Sequence, residues 1–256
     1  MAYKGIDVSK HNGVIDWQEV KKDGVEFAMI RAGYGRNAID SQFRRNISEC
    51  NRLGIPCGVY WFSYALTEAD AKQEALYCLD AVKPYKLEYP IAYDFEYDSV
   101  DYAKKNGVNI TKEKASSFVK AFCDEIENAG YFVLNYTNID YMKNYFTDAV
   151  NVRYGIWLAA WVNAESPPKS CYIWQHSSTG KVKGISGNVD MNKSYIDFPK
   201  FLKDHNMNRL NDKWFTPALQ WAITNGITDG ENPEDQATRA QVIVMLKRFH
   251  DKFIKQ

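Results

Sequence analysis

Short apolar runs alternate with amphipathic ones through the first half of the chain. "YKGIDVS" (3–9), "FAMIRAGYG" (27–35), "IPCGVYWFSY" (55–64), "YPIAYDFEYD" (89–98) and "YFVLNYTN" (131–138) read as strands. Helical patterns separate them: "DWQEVKKDG", a segment over about 39–53, one from Thr67 to about Val82, one over about 111–128, and a short one near 139–146. This rhythm predicts parallel strands with helices packed outside them.

After residue 150 the rhythm changes. "YGIWLAAWV" (154–162), "CYIWQHSS" (171–178) and "NVDMNKSY" (188–195) follow one another closely, and the gaps 163–170 and 179–187 are rich in Gly, Pro, Ser and Lys. A parallel crossover needs a dozen or more residues, usually helical. Hairpin-like joints are therefore expected between the last strands. Five β/α units and three further strands make eight, which predicts an α/β fold: a modified TIM barrel, (β/α)5β3.

The fourth strand begins apolar and ends in acid, with Asp94, Glu96 and Asp98 alternating with Phe95 and Tyr97. Period two puts Asp94 and Glu96 on one face, Cα atoms roughly 6.5–7 Å apart. Ala92 lies deeper on that face, while Tyr93 and Phe95 point to the helical layer, and Asp98 is assigned to the following loop. Active sites of such barrels sit at the C-terminal strand ends. Asp7 closes the first strand and Asp190 lies on the last, so a closed barrel brings Asp7, Asp94, Glu96 and Asp190 to one mouth. Crowded acids raise each other's proton affinity, and one can stay protonated near neutral pH. Glycoside hydrolysis needs that pairing: one acid for the leaving oxygen, one anion for developing positive charge. The bland alternatives are a metal site or salt-bridged loop ends.

Aromatic positions follow strand parity: Tyr60, Phe62 and Tyr64; Trp157 and Trp161; and Tyr136 at the end of the fifth strand. Near the mouth they suit a sugar chain, and the competing reading is simple barrel filling. Arg31, near the end of the second strand, is expected to pair with Asp7 or Asp94 and is counted among the candidate substrate-binding residues.

Composition narrows the function classes. Lys+Arg and Asp+Glu are both 32 in 256 residues, so nothing in the charge predicts capture by nucleic acid or an anionic membrane. No apolar run approaches the roughly 20 residues of a membrane helix. The five cysteines form no C-x-x-C pair and read as reduced core residues, and the four histidines show no zinc spacing. No metal and no cofactor are expected.

In combination and in this order, "GIDVSKHNG", "YDFE" and "WQHSSTGKVKGISGNVDMN" resemble glycoside hydrolase family 25, the lysozymes of phage and bacterial origin, over about residues 3–195. The resemblance implies metal-free cleavage of the β-1,4 bond between N-acetylmuramic acid and N-acetylglucosamine in peptidoglycan. It implies Glu96 as general acid and Asp94 as its partner carboxylate, with Asp7 and Asp190 as the other acids. Tyr60, Phe62, Tyr136, Trp157 and Gln175 fall on groove-lining positions. His176 departs from the pattern, which has an aromatic such as Tyr there. Acids this close suit a retaining mechanism, with Asp94 either attacking directly or assisting the substrate's own 2-acetamido group, the second being favoured. A non-catalytic wall binder and a chitinase-like hydrolase of N-acetylglucosamine polymers are the alternatives. The N-terminal "MAYKGIDVSKHNG" shows no apolar signal region. The expectation is a protein made in the host cytoplasm that acts on the cell wall after release, as a phage endolysin or a bacterial autolysin.

The expected domains are a barrel over 1–198, a linker over 199–211 and a helical domain over 212–256. In the tail, Thr216 caps a helix with Pro217 at its first position, Trp214, Ala218, Trp221 and Ala222 fall near helical spacing, and Gly226 ends the helix. Thr238 and Gln241 in "TRAQ" form a capping box ahead of an apolar stripe of Val242, Met245, Leu246, Phe249 and Phe253. The pair resembles one S-layer-homology-type repeat, which implies attachment to a secondary cell-wall polymer, with Arg239 carried over for binding. The alternative is a packing appendage or a hairpin for homo-oligomer formation.

Overall fold

The computed structural model describes residues 2–205, 207, 221–228 and 238–254. Nine strands form one sheet: β1 (Tyr3–Val8), β2 (Phe27–Tyr34), β3 (Ala38–Ile39), β4 (Cys57–Phe62), β5 (Ile91–Asp94), β6 (Val133–Asn138), β7 (Gly155–Ala159), β8 (Ile173–Gly180) and β9 (Val189–Ser194). Their order is β1-β9-β8-β7-β6-β5-β4-β2-β3, and β1 also pairs with β2. The sheet thus closes on itself as an eight-stranded barrel, and β3 only extends β2 by a short antiparallel hairpin.

The predicted joints are half right. β9 runs antiparallel to β8 and to β1, as a hairpin-like end requires. β7 and β8, however, are parallel. Strand β7 stops at Ala159, so the connection spans residues 160–172 and is long enough to cross over without a helix. Its start folds tightly, with Val162 N–H bonded to Ala160 O at 3.0 Å and Ala164 N–H to Val162 O at 3.0 Å.

Helices α1 (Trp17–Lys22), α2 (Phe43–Leu53), α3 (Glu68–Val82), α4 (Tyr97–Lys105), α5 (Lys112–Asn128), α6 (Ile139–Asn144) and α7 (Asp148–Arg153) accompany the first strands. Their ends follow local chemistry. The Thr67 side chain accepts from Asp70 N–H and Thr111 from Lys114 N–H, satisfying donors that a helix start leaves open. Helix α4 was not anticipated, and it places Asp98 in a helix rather than a loop. It buries only Ser99 and Ala103, and α7 buries only Val150, so neither shows the apolar stripe that betrays a helix in sequence. All five cysteines are free thiols, and only Cys171 is not fully buried.

Alternation divides the core in two. Outward residues such as Val59, Trp61, Tyr93 and Phe95 pack against Phe118 and Phe122 of α5 and the other helices. Inward residues, among them Met29, Tyr60, Ala92, Leu134 and Trp157, fill the barrel. Phe27 and Tyr89 stack at 4.4 Å at the N-terminal end of the strands. Helix α8 (Phe198–Asp204) closes that end, burying Phe198 and Leu202. The barrel is therefore plugged at one end, and its polar residues collect at the other.

In the tail, residues 221–224 are helical and Gly226 follows with φ 66°, where the sequence predicted a stop. Helix α9 (Arg239–Phe253) begins with the expected Thr238–Gln241 capping box. Trp221 meets Phe253 at 5.6 Å and Phe249 at 6.0 Å, so the two helical pieces contact each other. Val242 and Leu246 of the predicted stripe are exposed. Trp214, Thr216, Pro217, Ala218 and the expected boundary at 211/212 lie outside the described residues, as does the side chain of Arg239. No described helix is long and apolar enough to cross a membrane.

Gly58 faces the plugged end. A Cβ there would collide with the Pro90 carbonyl oxygen and lie 2.8 Å from the Tyr89 Cβ and 2.9 Å from the Met29 sulfur. Gly58→Ala is expected to destabilise the barrel by about 1–3 kcal/mol, the usual cost of overpacking, measured by urea unfolding.

Candidate active site

Asp7 lies near the end of β1, faces inward and is only 6% exposed. Its Oδ2 accepts from Gln175 Nε2 at 2.9 Å and from Asn192 Nδ2 at 2.7 Å. Both amides are fixed from behind. Gln175 Oε1 accepts from Tyr136 OH at 3.1 Å and Trp161 Nε1 at 3.0 Å, and Asn192 Oδ1 accepts from Trp157 Nε1 at 2.8 Å. Asp190 is the cross-strand partner of Asp7 on β9, and the two carboxyls share a hydrogen bond. Two carboxyls bond only when one carries a proton. Burial first, then the charge of Asp190, pushes Asp7 up to about 8 against the pull of its two amide donors. Burial and the neighbouring Asp190 charge thus favour the protonated form of Asp7.

A second acid pair stands at the end of β5. The strand ends at Asp94, but the backbone stays extended through Glu96 (φ −126°, ψ −169°), so the predicted alternation survives. Phe95 joins the outer core, and Asp94 and Glu96 share the inner face and a hydrogen bond. Burial raises both carboxyls. The Glu96 charge raises Asp94 further, while the bond from Asp94 pulls Glu96 back down. Asp94 is 4% exposed, and its Oδ1 has no hydrogen-bond partner among the described residues. Glu96 is the more open of the two and occupies the N-cap of α4, its N–H bonded to Ser99 Oγ at 3.1 Å. All four acids act on Tyr136, raising its hydroxyl after burial has done most of the work, so they converge on one volume.

Rings wall that volume. Trp157 meets Tyr136 at 4.8 Å and Tyr60 at 5.8 Å, both edge-on. Phe62, level with Asp94 in the sheet register, meets Tyr64 at 5.2 Å. The expected pairing of Arg31 with Asp7 or Asp94 does not form. Its Nε donates to Asp40 Oδ2 at 2.8 Å, and Asp40 also accepts the N–H groups of Lys10 and Gln42. The short β2–β3 hairpin brings Asp40 close at a small cost in loop closure, and Arg31 reaches Asp94 only as a charge that lowers it. His176 lies 5.5 Å from Trp174, beside the barrel rather than inside it.

Sequence reasoning passed over Asn192 and Asp40. Asn192 was accessible, because it lies two residues beyond Asp190 and so shares its inward face. Asp40 gave no signal, since its role depends on a two-residue strand.

A closed barrel with two neighbouring acid pairs, raised by burial, and an aromatic wall at its C-terminal mouth has the architecture of a glycoside hydrolase. The profile described as Glycosyl hydrolases family 25 matches residues 6–185, and the chain belongs to that family. It is 28% identical over 191 residues to the autolytic lysozyme of Clostridium acetobutylicum, covering 74% of this chain and 55% of that one. Lysozyme M1 of Streptomyces globisporus is 29% identical over 200 residues, covering 74% and 67%. The modular autolysin LytC of Streptococcus pneumoniae superposes with a TM-score of 0.67 at 33% identity, covering 76% of this chain and 47% of that one. The chain thus spans about half the length of the first of these relatives. The bacterial lysozyme of Streptomyces coelicolor shares the fold, with a TM-score of 0.60 at 23% identity, covering 77% and 93%.

The proton on Asp7 has a thermodynamic signature. A carboxyl that keeps its proton up to about 8 when folded, but releases it near 4 when unfolded, makes stability fall as pH rises across that window. Asp7→Asn supplies a neutral group that accepts from Gln175 and Asn192 and donates to Asp190. This variant is expected to show a shallower loss of melting temperature between pH 4 and 8 than wild type. An unchanged slope would place the proton elsewhere.

Proposed function

We propose that this protein is a peptidoglycan hydrolase of the lysozyme type, a retaining N-acetylmuramidase. The observation that carries the reading is the Asp94–Glu96 pair, which shares one proton in an aromatic-walled barrel mouth. A structure of LytC is described as a complex with a synthetic peptidoglycan ligand, and that relative supports peptidoglycan as the substrate class here.

Glu96, the more open acid, protonates the leaving oxygen as the C1–O bond breaks. The carbonyl oxygen of the substrate's 2-acetamido group bonds to C1 from the other side. Asp94 takes the acetamide N–H, which fits the buried Oδ1 that lacks a donor. That bond favours the Asp94 carboxylate and moves the shared proton toward Glu96. Water then attacks C1, Glu96 takes back its proton, and the acetamide is released with net retention. Asp7 and Asp190 steady the positive charge that develops at the ring.

On this reading the site of action is the cell wall of a Gram-positive host. The tail, with Arg239 at the start of α9, serves as a wall-polymer contact or joins copies of the chain, adding avidity through several weak contacts.

Purified Gram-positive walls are expected to clear with wild type. Glu96→Gln is expected to clear them about 10²–10⁴-fold more slowly, the usual worth of a general acid. Borohydride reduction of the released ends identifies the bond. Reduced muramic acid supports the assignment, and reduced N-acetylglucosamine overturns it. Cleavage of soluble chitin oligomers in place of walls would favour the chitinase-like reading.

A further inference from the structure

Glu74 lies on the buried stripe of α3 together with Ala71, Ala75, Cys78 and Val82, where the helix pattern calls for an apolar residue. It is 2% exposed and has no cationic partner among the described residues. A buried carboxyl without a counter-charge is costly, and its retention there calls for a role.

Its bonds lead to the catalytic pair. Glu74 Oε1 accepts the Tyr64 N–H at 2.8 Å, and Ser63, the residue before Tyr64, lowers the same carboxyl. The Ser63 oxygen in turn accepts from Tyr93 OH at 2.8 Å and from Ala65 N–H at 3.1 Å. Ser63 N–H donates to the backbone oxygen of Asp94 at 2.8 Å. Ser63 therefore grips β5 twice, once at the Asp94 carbonyl and once at the side chain just before it. Glu74 holds the backbone at Tyr64, directly after Ser63, while it does so.

We propose that Glu74 is a positioning residue for the Asp94–Glu96 pair, acting from the helical layer through Ser63 and Tyr93. The clasp fixes the end of β4 against the end of β5, where the strand stops and the chain turns into α4. Without it, Asp94 keeps its strand bonds but the direction of its carboxyl relaxes, and with it the hydrogen bond to Glu96. Burial pushes Glu74 up to about 8, against the pull of Ser63 and Tyr64, and Asp70 adds to the rise. Arg36, Asp70, Gln73, Tyr64 and Tyr77 line the 270 Å³ pocket on its outer side with it, and no described group bonds Oε2.

The inference rests on the hydrolase reading for its rate but not for its geometry. The test compares wild type, Glu74→Gln and Glu74→Ala by carboxyl ¹³C NMR titration of Asp94 and Glu96 and by kcat and KM on walls. Glu74→Gln is expected to keep the titration and most of kcat, because its amide oxygen still accepts from Tyr64. Glu74→Ala is expected to shift the coupled titration and lower kcat by about 10²-fold, the usual cost of a small misplacement, with little change in KM. The proposal is overturned if Glu74→Ala lowers melting temperature alone and leaves titration and kcat within about twofold of wild type. Should Glu74→Ala fail to fold, Ser63→Ala and Tyr93→Phe each cut one link, and the same two readouts decide. Wild type that titrates as described but does not cleave walls would sink the hydrolase reading and leave the NMR comparison to judge Glu74.

Discussion

Everything at the mouth depends on proton sharing between carboxyls. Four ionised acids cannot occupy one dry volume, because each charge loses its water and gains three like neighbours. The barrel resolves this in pairs. Asp7 sits beneath two amide donors and is raised by burial and by Asp190, and Asp94 is raised by burial and by Glu96. Burial and like charge together favour a proton on each pair. The Trp157, Tyr136 and Trp161 donors extend outward from the first pair, so the aromatic wall is also a hydrogen-bonded scaffold for the acids.

This division of labour suits glycosidic chemistry. One pair is rigid: Asp7 and its two amides are held from three strands, β1, β8 and β9. The other pair stands where a strand gives way to a helix, and its outer member is the more open one. A fixed negative field beside a transferable proton is what an oxocarbenium-like transition state asks for.

Much of this was legible in the residues. The acids on one face of "YDFE" follow from period two alone, and the parity of Tyr60, Tyr136 and Trp157 placed them inside the barrel. What could not be read depended on pairing across long distances. Arg31 turns to Asp40 because a two-residue strand folds back on β2, which no propensity marks. The parallel β7–β8 pair was missed because β7 ends at Ala159, three residues before its apolar pattern ends. Helix α4 escaped notice because it rides on the surface and carries no apolar stripe. Glu74 is the opposite case: it interrupts a clear stripe, and such a break in local consistency is where a buried polar role should be sought.

The antiparallel seam between β1 and β9 has a consequence for synthesis. Gln175 and Asn192 bond Asp7 across 168 and 185 positions of chain. A ribosome delivers Asp7 before the five β/α units are complete and Asn192 only after them. Until then the nascent barrel is an open sheet, and Asp7 has neither its amide donors nor Asp190. Contacts so distant in sequence form late and slowly. The acid site therefore comes into being only when the ring closes, and a chain cut short before β9 is a scaffold without chemistry.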